Sequence, residues 1–112
     1  MPVKILATEN RVTAFLSGEI DHHNASDLRL QIDEAIQMYK PKTLNLDYSD
    51  VSFMDSSGVG LVMGRYRNIQ PFGGKIQVSN LSLQFFRIMK LAGLDNIAKI
   101  SMREEENYAD NK

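Results

Sequence analysis

Two short stretches of this chain gather residue types that can do chemistry. One is FMDSSGVG at residues 53–60, where Asp55, Ser56 and Ser57 stand in a row before Gly58. The other is GEIDHH at residues 18–23, which holds Asp21, His22 and His23. A nucleophilic serine needs a base, and His22 and His23 are the only histidines in the chain. Asp21 or Asp55 would orient the imidazole, so a Ser-His-Asp set with Ser56 and His22 can be written on paper. The strained G-x-S-x-G elbow of a hydrolase is absent, and a chain of 112 residues is short for a substrate pocket. Gly58, Gly60 and Gly64 read G-x-G-x-x-x-G, one residue off the dinucleotide fingerprint, and no GK[ST] occurs. Glu19, Asp21, His22 and His23 cluster in sequence, yet adjacent histidines on one loop rarely converge on one ion, and no metal or other cofactor is expected. The plain reading of DSSG is a helix cap, since Asp and Ser side chains accept from the free N–H groups of a first turn. One cap needs one residue, and three compete. If Asp55 or Ser57 takes the role, the Ser56 hydroxyl is left at the positive end of the helix dipole.

The elements that must position these residues follow from the periodicity. Residues 3–8 and 12–17 are short β-rich runs either side of Glu9-Asn10-Arg11, which predicts a hairpin. Gly18 is expected to end the second strand, with GEIDHHNASD as a loop into a helix. Ala25, Leu28, Ile32, Ala35, Ile36 and Tyr39 recur at helical spacing, and Pro41 stops that helix. Residues 43–48 alternate as a strand, and SDVSFMDSSG is expected to be loop. Val59, Val62, Met63, Tyr66 and Ile69 mark a second helix, ended by Pro71-Phe72-Gly73-Gly74. A strand at 75–79, a helix from about Ser82 burying Phe85, Ile88, Met89 and Ala92, and a last strand at 96–101 complete the order. Gly93 is placed for a left-handed helix end, with Leu94 packing back on the last turn. Gly60 and Gly64 are expensive inside a helix, which suggests either close packing on the sheet or a flat face open to a partner.

The order β-β-α-β-α-β-α-β predicts an α/β single domain over residues 1–112, with about 103–112 a frayed acidic tail. Its sheet is mixed but mostly parallel, of four to five strands, with an N-terminal hairpin and helices largely on one face. Sites in such sheets lie at the carboxyl ends of the strands, and both GEIDHH and DSSG fall there.

The totals exclude several classes. A formal charge of −1 with scattered Lys and Arg gives no footprint for nucleic acid. The absence of cysteine excludes disulfides and thiol chemistry, and fits a cytoplasmic chain. No run approaches the ~18 apolar residues of a membrane span.

Taken together, GEIDHHNASDL, LNLDYSDVSFMDSSGVGLVMGRY and FGGKIQV resemble the STAS-domain anti-sigma factor antagonists over about residues 3–101. The resemblance implies a binding module rather than an enzyme. Such a protein binds an anti-sigma factor that is a serine kinase and so frees the sigma factor, here in control of sporulation transcription. The kinase then phosphorylates the serine after the aspartate, which is Ser56 and not Ser57, and a serine phosphatase reverses this. Asp21 matches the acidic residue of the neighbouring loop, and Asp21, His22, Asp55, Ser56, Ser57 and Gly58 are the expected partner surface. ATP and Mg would belong to the kinase. The alternatives are a stress-response or sensory member of the family, and a small nucleotide-binding or hydrolytic enzyme using Asp21, His22 and Ser56.

Overall fold

In the computed structural model, which describes residues 3–104, the expected order of elements is present. It runs β1 (Val3–Ala7), β2 (Arg11–Ile20), α1 (Ala25–Tyr39), β3 (Thr43–Met54), α2 (Ser56–Ile69), β4 (Lys75–Leu81), α3 (Leu83–Leu91) and β5 (Lys99–Met102). The strands form one sheet in the order β1-β2-β3-β4-β5. β1 pairs antiparallel with β2, and every later pairing is parallel. Most of the acidic tail foreseen from about residue 103 lies outside the described residues.

Alternation along the strands explains the layering. Val12, Ala14 and Leu16 on β2, Leu44, Leu46 and Tyr48 on β3, and Ile76 and Val78 on β4 point into one buried core. Leu28, Ile32 and Ile36 of α1, Leu61, Val62 and Ile69 of α2, and Phe85 and Met89 of α3 fill the same core. The opposite alternation is polar: Thr13, Asn45 and Gln77 share one register row. A sheet with one apolar and one polar face packs helices on the apolar side alone.

The helix faces differ from the expected ones in detail. Tyr39, Ile88 and Ala92 are exposed rather than buried, and α2 is turned so that Leu61 and Arg65 go inward while Met63 faces out. Arg65 is buried because its guanidinium lies 2.8 Å from the Asp33 carboxylate of α1. Apolar spacing cannot register a buried ion pair. Gly93 adopts φ +82°, and Leu94 behind it is buried, as the C-terminal signal predicted.

The larger corrections concern strand ends. β2 runs past Gly18 to Ile20, and β3 runs through the expected loop to Met54. Gly18 does not end β2; at φ +78° it carries an irregularity where the β2–β3 register shifts between Gly18 and Glu19. A bulge of this kind keeps pairing alive while re-aiming the residues beyond it. The last strand begins at Lys99, because residues 94–96 form a 3-10 turn.

Candidate functional site

The longer strands bring the two chemistry-bearing stretches together. Glu19 pairs with Phe53 and Ile20 with Met54, so β2 and β3 end side by side. The Asp55 N–H donates to the Ile20 carbonyl at 3.1 Å, which ties the start of one loop to the start of α2.

At α2 the contest for the cap is resolved in favour of Asp55. Its backbone is extended (φ −96°, ψ −164°), and its Oδ1 accepts from the Ser57 N–H at 2.8 Å. That amide bond is the main cause that holds the Asp55 carboxyl below its ordinary range; partial burial opposes it, and the Ser57 hydroxyl and His22 assist. Ser57 is half-buried and turned toward Asp55, so it does not cap. Ser56 is the first residue of the helix and is exposed.

Gly58, expected to be part of the partner surface, lies inside the protein. It is buried, and a Cβ there would lie 2.6 Å from Met54 Sδ and 2.9 Å from Met54 Cβ. Its carbonyl accepts from the hydroxyl of Tyr48 at 3.0 Å. Tyr48 is fully buried, and burial pushes its phenol far above the usual range, so it stays a donor. Gly58 therefore seats α2 on β3. Gly60 and Gly64 meet nothing where a Cβ would stand, which rules out close packing as their reason and leaves the flat outward face.

The neighbouring loop is braced by its own residues. Asp21 Oδ1 accepts from the N–H groups of His23 at 2.9 Å and Asn24 at 3.1 Å, while Asn24 Oδ1 accepts from the Asp21 N–H at 3.0 Å. Asn24 Nδ2 also donates to the Glu19 carbonyl. Asp21 thus shapes the loop, and the side chain that crosses to α2 is His22, whose Nδ1 lies 3.9 Å from Asp55 Oδ2. The imidazoles of His22 and His23 stack at 4.1 Å. The base reading asked for a histidine on the serine, but the imidazole faces the cap carboxylate, and among the described residues no hydrogen bond joins it to Ser56. No cluster able to hold a metal is found among the described residues. No described helix is long and apolar enough to cross a membrane.

Phe53 was missed at the level of sequence. It is exposed near the end of β3, one residue from Met54 and three from Ser56. An exposed aromatic in a strand that alternates would have flagged it, had the strand been read as reaching that far.

The STAS domain family matches residues 4–107. The chain belongs to the STAS domain family. Among its relatives is an anti-sigma F factor antagonist of Paenibacillus polymyxa, 40% identical over 85 residues, covering 76% of this chain and 73% of the relative. An anti-sigma-B factor antagonist of Bacillus subtilis (strain 168) is 31% identical over 103 residues, covering 92% of this chain and 93% of the relative. The fold also matches the solved anti-sigma factor antagonist SpoIIAA in its unphosphorylated form, with a TM-score of 0.71 and 30% identity over 97% of this chain and 96% of that one. The phosphorylated form of the Bacillus protein SpoIIAA gives a TM-score of 0.69 and 32% identity, over 98% and 99% of the two chains. The α/β STAS fold and the family expected from the motifs are both borne out.

Proposed function

We propose that this chain is an anti-sigma factor antagonist whose binding is switched by phosphorylation of Ser56. Unphosphorylated, it docks on an anti-sigma factor that is a serine kinase and releases the sigma factor. The kinase then uses ATP and Mg to phosphorylate Ser56, and a serine phosphatase restores the active form. The domain contributes no chemistry of its own.

The observation that carries this reading is the division of labour at the head of α2. Asp55 caps the helix and engages Ser57, so Ser56 alone is left as an exposed hydroxyl at the amide-rich end. Helix N-terminal amides tolerate a new phosphate there. The flat outer face at Gly60 and Gly64 and the exposed Phe53 extend the docking surface beside Asp21, His22, Asp55 and Ser57, while Gly58 lies beneath it. Higher identity to an F-class antagonist than to a B-class one favours a role in sporulation transcription over the stress-response alternative. A cytoplasmic location follows from that role.

Incubation with the anti-sigma partner and ATP, followed by mapping of the phosphorylated residue, tests the assignment. Ser56→Ala should take no phosphate and still bind. Labelling that persists in Ser56→Ala and disappears in Ser57→Ala would reverse it.

A further inference from the structure

We infer that His22 is the proton-carrying counter-cation of a phosphate on Ser56, which makes the switch responsive to pH. The inference rests on the reading of Ser56 as the phosphorylated residue and adds a second role for His22 beyond its place in the docking surface.

The starting point is where positive charge is missing. The strand ends and loops at this end of the sheet, residues 18–24, 49–57 and 79–82, contain no lysine or arginine. The first cation of α1 is Arg29, inside the helix, and the first of α2 is Arg65, buried against Asp33. Arg103 follows β5, whose axis lies two strands, about 10 Å, from that of β3. A phosphate on Ser56 would bring roughly −1.5 to −2 charges to segments already carrying Glu19, Asp21, Asp50 and Asp55. His22 and His23 are the only side chains of these loops that can become positive.

Geometry selects one of the two. His22 Nδ1 is 3.9 Å from Asp55 Oδ2, and Asp55 is the residue bonded to Ser56. The groups against His22 are Asp55, the cap of α2, and the ring of His23, with the carboxylates of Asp21 next to it in the loop and Glu19 at the end of β2 the other charges near it in sequence. Of these, the Asp21 carboxylate is turned to the backbone amides of His23 and Asn24. The ring centroids of His22 and His23 lie 4.1 Å apart, so positive charge on both rings at once would be repulsive. An anion added beside Asp55 favours the charged form of the nearest imidazole, and the imidazolium in turn favours the fully ionised phosphate. His22 is 76% exposed, so its ring can turn from Asp55 to the phosphate with no core group moving.

The test uses the full chain with phosphoserine installed at position 56 by genetic encoding, which needs no kinase. A kinase that labels a different residue would therefore sink the proposed function and leave this measurement standing. Phosphorus NMR follows the second ionisation of the phosphate in the parent, His22→Gln and His23→Gln chains. Loss of His22 should move that midpoint upward by about half a pH unit or more, and loss of His23 by clearly less. Long-range proton–nitrogen spectra of the phosphorylated parent near neutral pH should show both ring nitrogens of His22 at imidazolium positions. An unchanged midpoint in His22→Gln, a shift at least as large in His23→Gln, or a neutral His22 tautomer in the phosphorylated chain would each overturn the inference.

Discussion

At the scale of single residues, three neighbours divide three jobs. Asp55 caps, Ser56 is presented, and Gly58 allows the helix to sit against β3. The close approach of Gly58 to Met54 yields a direct prediction. Gly58→Ala should destabilise the fold by about 1–3 kcal/mol in urea unfolding, because Met54 Cβ belongs to a strand and cannot swing away. Trimming Met54 to Ala in the same chain should return part of the loss relative to Met54→Ala alone. A neutral Gly58→Ala would mean the helix start shifts freely. The cap carboxylate predicts a pH signature. Its folded pKa is depressed, first by the Ser57 amide, so the stability it adds is present above its unfolded value of about 4 and is lost as pH falls through the lower folded value. The stability gap between the parent and Asp55→Asn should therefore shrink on acidification below about pH 4. A gap that widens there would contradict the charged cap. Which of three adjacent residues caps was not legible in DSSG, because Asp and Ser compete on nearly equal terms until the strand before them fixes Asp55 in extended backbone.

At the scale of elements, the helices and the hairpin were legible because their apolar spacing is regular over several turns. The ends of β2 and β3 were not. Gly18 and the polar run SDVS read as turn residues, yet β3 takes up the extra residues of the register shifts and both strands continue, with left-handed Gly18 opposite one of those shifts. That extension is what seats the two loops side by side: their shared end of the sheet was legible in the sequence, and the contact of His22 Nδ1 with Asp55 Oδ2 at 3.9 Å was not. Two contacts set where α2 lies. Tyr48→Phe removes the hydroxyl that holds the Gly58 carbonyl and should cost about 0.5–1.5 kcal/mol, read as a melting temperature lower by several degrees. The loss should appear in amide exchange at the first turn of α2 before it appears elsewhere. Between helices, Asp33 compensates Arg65, whose burial lowers its pKa and whose neighbours Arg29 and Arg67 act in the same direction. Asp33→Ala leaves a buried guanidinium unpaired and should cost about 2 kcal/mol, below the range for fully buried pairs because Asp33 is one-third exposed. Arg65→Met in the Asp33→Ala background should recover stability, and a further loss would show that packing rather than charge holds the helices.

At the scale of the whole molecule, the proposed switch is a change of surface and not of shape. A phosphate at the head of α2 gains about 0.3–1 kcal/mol from the helix dipole, while nearby carboxylates oppose it by a similar amount in water. The fold should stay within about 1 kcal/mol of its unmodified stability, with amide shift changes confined to residues 18–24 and 53–60. Docking faces a different balance, since the partner must desolvate the new charge against a surface shaped for a hydroxyl, and a buried unpaired charge costs several kcal/mol. The measurement that bears most directly on this account is the affinity of the anti-sigma partner for the unmodified chain and for the chain carrying phosphoserine at 56, by calorimetry in one buffer. The account predicts that the phosphorylated form binds at least about a hundredfold more weakly, equivalent to ~2.7 kcal/mol. Equal affinity of the two forms would contradict it.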